Sequence, residues 1–558
     1  MKRTLLVGLL ALVLFVPFIG SVRLFDWDEI NFAENAREMI VSGDYLHMQI
    51  DFEPFYEKPP LFIWTQVLSM KVFGVNAFAA RLPNAVIGAI TLMVIFSIGR
   101  RLYDERFGWL WVLAYAGSIL PHFYFRSGII DPMFNLFIFL GVLWMLKAQV
   151  ERPVVNALVA GSWSACAVMT KGPVGFGLIM LTTGIAWLVN RKQTPQTSRI
   201  GSAILTVSVA TITTIALGSI WFLVDYLQNG PQFVQANLAY QVRLLTTGEA
   251  GHQQPFWYHF VVVLIGCFPA SLLLFGGLRS SRDETGDQRM MRIWMIVLLC
   301  VVLVVFSSVK TKIVHYSSMT YLPLTYLATI YVHRWLNGSQ RWRWWHTAST
   351  TTFGVIWSVL VTVVLWAFMQ REWLLSLPTF RDKFLRSSIM RNVEWLGIEP
   401  FVGVVVLAGV IAAWWLRRSN KRLASIIALY GSVIVFVSLI LPLVVPRIEP
   451  YTQGAALDFY ESKIGQEAYI KPVVMKSYAH LFYTHKPQHL SRAANGIGRH
   501  EWEPWLVSGS VDRPVYLVAK VNDAERWRKE PTLRVMYEEG GFVFFTRRDS
   551  ADQGSTIP

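Results

Sequence analysis

Apolar residues in this chain come in long unbroken runs rather than alternating with polar ones. A helix of roughly 17–25 such residues crosses a hydrocarbon core of about 30 Å, and continuous rather than alternating runs favour helices over a barrel. The runs fall near 4–21, 82–99, 108–125, 132–149, 154–169, 173–190, 201–225, 257–277, 291–308, 316–333, 350–369, 400–416 and 423–444, which predicts about thirteen crossings. The fold class expected is a polytopic α-helical membrane protein.

The pattern changes in two places. Between 22 and 81 lies a densely polar loop in which Phe32, Ala33, Ala36, Met39 and Ile40 recur at helical spacing, with Gly43 where a C-cap is wanted. An amphipathic helix lying at the membrane surface is expected there. After Pro446, 468–475, 515–521 and a hairpin pair around Gly540-Gly541 read as strands, with helices at 453–465 and 523–529. The expected division is therefore a transmembrane domain, 1–445, carrying the 22–81 loop, and a small C-terminal α/β domain, 446–558, with a frayed tail from Ser550.

Composition agrees: 54% of the 558 residues are hydrophobic and 16% charged, with a mean hydropathy of +0.41, against about 25% charged in soluble chains. The net charge of +15 is topological. Lys2-Arg3, Arg100-Arg101-Arg106, Lys147 with Arg152, Arg191-Lys192, Arg279 to Arg292, Arg334 to Arg343 and Arg417 to Arg422 occupy alternate loops, as the positive-inside rule requires. Nucleic acid is accordingly set aside as a partner. Loops 22–81, 126–131, 170–172, 226–256, 309–315, 370–399 and everything after 445 then lie outside. The first apolar segment lacks a small-residue cleavage site and reads as an uncleaved span. Cys166, Cys267 and Cys300 all fall inside spans, as packing thiols rather than a disulfide framework.

The outer loops hold the reactive groups. The first carries Asp26, Asp28 and Glu29, then Tyr56-Glu57-Lys58-Pro59-Pro60; later ones carry Asp131 at the mouth of the fourth span, Lys171, Arg243, His252, His259, Lys312, His315 and Tyr316. Ionisable groups at a membrane edge are expensive and point to function. Both signs on one face suit chemistry on a charged lipid. If a sugar leaves a lipid phosphate, Lys58, Arg243, Lys312 and Tyr316 are placed to stabilise the departing phosphate. Asp28 or Asp131 would orient or deprotonate the attacking group. The plainer readings are that Asp28 is an N-cap, that Glu29 answers a helix dipole, and that Lys171 snorkels.

Asp28-Glu29, Ala36-Arg37-Glu38-Met39 with Ser42-Gly43-Asp44, Tyr56-Glu57-Lys58-Pro59, Arg81-Leu82-Pro83, Asp131-Pro132, Thr170-Lys171-Gly172-Pro173-Val174 and Pro255-Phe256-Trp257-Tyr258 occur in that order. This order resembles the family of lipid A aminoarabinose transferases and, more loosely, the protein O-mannosyltransferase-like group. The resemblance implies a GT-C fold and an enzyme that takes its sugar from undecaprenyl phosphate, without a nucleotide cofactor. It implies a bacterial inner-membrane protein with its active site and C-terminal domain in the periplasm. Asp28 would be the principal catalytic carboxylate, with Glu29 beside it, and Asp131 the second acid, near the acceptor. Lys58 would contact the lipid phosphate, Tyr316 would close the cavity, and Glu57 with His252 would bind a divalent ion, zinc or similar. Arg243 rests on electrostatics alone. His259 and His315 are substitutes for His252, or packing histidines. The wording of 312–317 and the additional Asp26 depart from the family pattern and leave the sugar and acceptor open.

The function expected is inverting transfer of a sugar from a polyprenyl phosphate to a lipid A-like or other envelope acceptor. The alternatives are protein O-glycosylation and, in another class, a transporter or flippase of a lipid-linked sugar. Transporters often show repeat symmetry and interrupted midplane spans, and neither is visible in this sequence.

Overall fold

Where the apolar runs lie, the chain is helical, because every backbone amide in lipid must find its partner within the segment. A computed structural model describes residues 1–191, 200–247, 253–378 and 381–548. Among the described residues, eight helices are long and apolar enough to cross a membrane: Ala77–Leu102, Asp131–Val150, Pro153–Lys171, Ile200–Gly218, Gly286–Ser308, Trp344–Met369, Phe401–Arg418 and Arg422–Glu461. Tyr258–Gly266 and Ala270–Gly277, bent by 102° at their junction, together make a ninth. The other expected runs are shorter or divided helices: Lys2–Phe15, Val174–Asn190, Tyr321–Leu336, and Glu105–Ala116 followed by Ile119–Tyr124. Eight or nine of the thirteen expected crossings thus meet the length test. One division has a visible cause, for a Cβ on Gly117 would stand 2.6 Å from that of Tyr430, so tight packing falls where the helix breaks.

In the first loop, Asp28–Ser42 is a helix closed by Gly43 at φ +74°, whose N–H donates to Met39 O. Here glycine is required, because the left-handed conformation costs other residues about 1–2 kcal/mol. The helix presents no broad open face to lipid, however. It is buried on almost its whole circumference, including Glu29, Glu34, Asn35, Arg37 and Glu38. Its polar side is covered by protein rather than water or headgroups. Glu34 accepts two hydrogen bonds from Arg37, whose guanidinium also reaches Lys486 O. Glu38 accepts from the Asp51 and Phe52 N–H groups at 2.7 and 2.8 Å. Those two residues form the turn of a small hairpin, β1 (Gln49–Ile50) and β2 (Glu53–Pro54).

The last spanning helix continues unbroken through Pro446 to Glu461, so the change of composition at 446 falls inside a helix. Beyond it stands a four-stranded sheet of β3 (Tyr469–Pro472), β4 (Val515–Lys520), β5 (Leu533–Glu539) and β6 (Phe542–Arg547), in the order β3-β4-β6-β5. β3 and β4 run parallel; the other pairs are antiparallel, with β5 and β6 joined through Gly540-Gly541. Val515, Leu517, Val543 and Phe545 pack with Trp502 and Trp527 on one face. The domain is docked firmly on the first loop. Arg23 pairs with Asp458 and Glu461, Lys486 with Asp51, and Arg492 with Glu53. Leu24 N–H donates to the Tyr483 hydroxyl at 2.6 Å.

Candidate active site

The site is built outward from a buried ion pair. Arg81 donates to both oxygens of Glu29, at 2.8 and 2.6 Å, and its remaining N–H groups donate to Ile19 O, Val22 O and Arg23 O. Glu29 also accepts from Phe25 N–H at 3.0 Å and from Gly128 N–H at 2.6 Å. Burial alone would raise its pKa, but Arg81 and these backbone donors hold the carboxyl below its ordinary value. Asn84 donates to Ser127 O and Ile129 O, both at 2.6 Å. The segment before Asp28 and the segment before Asp131 are therefore fastened to one helix, Ala77–Leu102, at the Arg81-Leu82-Pro83 motif. Both Glu29 oxygens are thus taken up by Arg81 and by backbone N–H groups.

The reactive groups meet beside this clamp. His315 Nε2 stands 3.5 Å from Asp28 Oδ2 and 3.8 Å from Asp131 Oδ2. Lys171 Nζ donates to Asp131 Oδ1 at 2.6 Å and lies 5.0 Å over the Tyr316 ring. One helical turn beyond Asp131, Asn135 Nδ2 donates to Ser318 Oγ at 2.8 Å, fixing the 3₁₀ turn Val314–Thr320 that carries His315 and Tyr316. The Asp131 side chain is 4% exposed and paired with Lys171, whereas that of Asp28 is 30% exposed and, among the described residues, has the His315 imidazole as its ion-pair partner. Asp28 begins its helix without making a side-chain cap bond, so the N-cap reading does not describe it. Burial, aided by the positive charges of Lys171 and Lys58, keeps His315 below the ordinary histidine range in spite of its two carboxylates.

A second group of cations lies next to the first. Lys58 Nζ is 4.8 Å from the centre of the Tyr240 ring, and the Arg243 guanidinium is 5.5 Å from the same ring. Asn237, on the same Gln232–Thr246 helix, donates to Tyr56 O and Glu57 O, and so grips the Glu57-Lys58 segment by its backbone. Lys312 is different: it is buried, and its ammonium donates to Val309 O at 2.6 Å, inside its own loop. His252 lies outside the described residues. Among the described residues no group of three or more His, Cys, Asp or Glu side chains is placed to hold a metal ion. Glu57 is thus a single described donor where zinc takes three or four.

Of the expected residues, Asp28, Asp131 and Tyr316 come together, with Lys58 and Arg243 on the adjoining aromatic ring. Three central residues carried a weaker signal in the sequence. Lys171 was visible as a cation on the wrong side for the positive-inside trend, and His315 as a substitute for His252 or a packing histidine. Arg81 showed only as part of a motif.

A profile of the dolichyl-phosphate-mannose-protein mannosyltransferase family matches residues 57–230. That stretch takes in Glu57, Lys58, Asp131 and Lys171, but neither Asp28 nor His315. An undecaprenyl phosphate-alpha-4-amino-4-deoxy-L-arabinose arabinosyl transferase of Pectobacterium carotovorum is 25% identical over 347 residues. That match covers 60% of this chain and 59% of the relative. The protein of the same name from Erwinia tasmaniensis is 22% identical over 94% of both chains. The crystal structure of ArnT from Cupriavidus metallidurans bound to undecaprenyl phosphate superposes with a TM-score of 0.74 at 18% identity, covering 98% of each chain. This chain has the fold of that ArnT structure, a GT-C fold. In this multi-pass chain Asp28 and Asp131 each open a helix, Asp28–Ser42 and Asp131–Val150, and meet at His315.

Proposed function

We propose that this GT-C protein is an inverting glycosyltransferase of the bacterial inner membrane, working on the periplasmic side. It moves a sugar from a polyprenyl phosphate to a lipid A-like or other envelope acceptor. The observation that carries this reading is the convergence of Asp28 and Asp131 on His315, with Lys171 closing on Asp131 and Lys58 nearby. The names and folds of the relatives support the donor class.

In the displacement, an acceptor oxygen attacks the anomeric carbon as the bond from that carbon to the phosphate oxygen breaks. The polyprenyl phosphate departs with the negative charge, which Lys58 and Arg243 stabilise. Lys171 cancels the charge of Asp131, so Asp28 is the carboxylate left open to the substrate. It orients a phosphate acceptor, or takes the proton of a hydroxyl acceptor. Glu57 is the candidate donor to a divalent ion; each step above is assigned to protein side chains. The family profile over 57–230 favours a second reading, transfer to a protein hydroxyl.

Purified protein incubated with polyprenyl-phosphate sugars and an envelope lipid extract should yield a lipid heavier by one sugar, read by mass spectrometry. A sugar increment found instead on a protein fraction would move the reading to protein O-glycosylation. Donor moved across a vesicle bilayer without loss of its sugar would replace it with transport.

A further inference from the structure

The C-terminal domain does more than cover the first loop. Between β3 and the helix Ala479–Tyr483 runs a strap, residues 473–478, which reaches the residue directly before Asp28. Lys476 Nζ lies 4.3 Å from the centre of the Trp27 ring, and the Tyr478 ring is 5.6 Å from Trp27. Gln453 fastens the same stretch of loop, donating to Leu24 O at 2.9 Å. Of the other cations of this domain that face the first loop, Lys486 and Arg492 pair with Asp51 and Glu53, and Lys520 acts on Asp26, whose carboxyl the strap's Ser477 also bonds. Lys476 and Arg499 are exposed and have no ion-pair partner among the described residues. An ammonium held over an indole keeps its charge while its position is fixed, so little ordering remains to oppose ligand binding.

We propose that Lys476, seated on Trp27 with Tyr478 behind it, is the contact by which the C-terminal domain recognises an anionic phosphate on the head group of the acceptor glycolipid. This rests on the glycosyl-transfer reading above and names what presents the acceptor to Asp28. Its element separates it from the cations assigned to the donor's phosphate. Lys171 ends the helix Pro153–Lys171 and Lys58 lies three residues before the apolar helix Leu61–Phe73, so these two belong to the helices of the membrane part of the chain. Lys476 arrives from the domain beyond the last span, on the side where a bulky sugar head group would project. A phosphate there gains a charge-assisted hydrogen bond from an ammonium already in place.

The test uses the full-length protein in detergent, with diphosphoryl lipid A as the acceptor probe, and separate KM values for donor and acceptor. For Lys476→Gln the acceptor KM is expected to rise about tenfold, and for Lys476→Glu further, with kcat and donor KM unchanged. Lys476→Arg, which keeps charge and stacking, should stay within about threefold of wild type. Raising ionic strength should weaken the wild-type acceptor KM and affect Lys476→Gln less, because an exposed ion contact is screened. An unchanged acceptor KM in Lys476→Glu, or an equal rise in both KM values, would overturn the proposal. Failure of the wild type to glycosylate any acceptor would instead remove the transfer reading beneath it.

Discussion

His315 occupies the space between two carboxylates that belong to different elements, and it is uncharged at neutral pH because burial outweighs their attraction. Its part in the account is to set the position of Asp28 rather than to meet the substrate. His315→Ala should lower kcat by about 10–100-fold, within the range by which positioned acid–base groups contribute, while the donor KM stays near wild type. His315→Gln, which retains a donor N–H at similar reach, should recover part of the loss. The pH profile separates this from a packing role. Depression below the ordinary value of 6.5 means that the neutral form persists down to and beyond that pH, and that protonation, with loss of rate, comes only at lower pH. Loss of that acid limb in His315→Gln is the expected signature. An acid limb unmoved by the substitution would reduce His315 to packing.

At the scale of elements, the Glu29–Arg81 pair is what brings the start of the Asp28–Ser42 helix to the start of the Asp131–Val150 helix. Both partners are buried, and removing one leaves an uncompensated charge, worth about 3–5 kcal/mol. Arg81→Ala should therefore lower thermal stability markedly in detergent. The pH dependence follows in sign. A depressed carboxyl contributes stability that is present above its ordinary value of 4.5 and lost as pH falls through its lower, folded-state value. Wild type should lose stability across that acid window, and Glu29→Gln, already weaker at neutral pH, should lose less there. Equal stability of Arg81→Ala and wild type at pH 7 would contradict this.

Much at this scale was legible in the sequence. The helix over 28–42 with its glycine cap, eight or nine of the thirteen spanning runs and all four strands of the C-terminal sheet followed from periodicity and turn residues, which are local signals. The burial of the Asp28–Ser42 helix was not, because its cover comes from residues such as Lys486, more than 400 positions away. The meeting of Asp28 with His315 was hidden for the same reason. Glu29 read as a third acid because the sequence does not show that Arg81 consumes it.

For the whole molecule, charge, topology and docking act together. The ion pairs of Arg23, Lys486 and Arg492 hold the C-terminal domain on the first loop, beside Asp28. On the proposed function, a lipid-linked phosphate would meet Lys58 and Arg243 and the acceptor would approach from the side of the C-terminal domain. The release of polyprenyl phosphate is the most direct test, measured per acceptor glycosylated in wild type and in Asp28→Asn, with donor binding followed in both. The prediction is one phosphate freed for each sugar transferred by the wild type. Asp28→Asn should bind donor within about threefold of wild type yet turn over at least about 100-fold more slowly. Wild-type turnover by Asp28→Asn, or donor bound by the wild type and never cleaved in the presence of acceptor, would contradict the central claim.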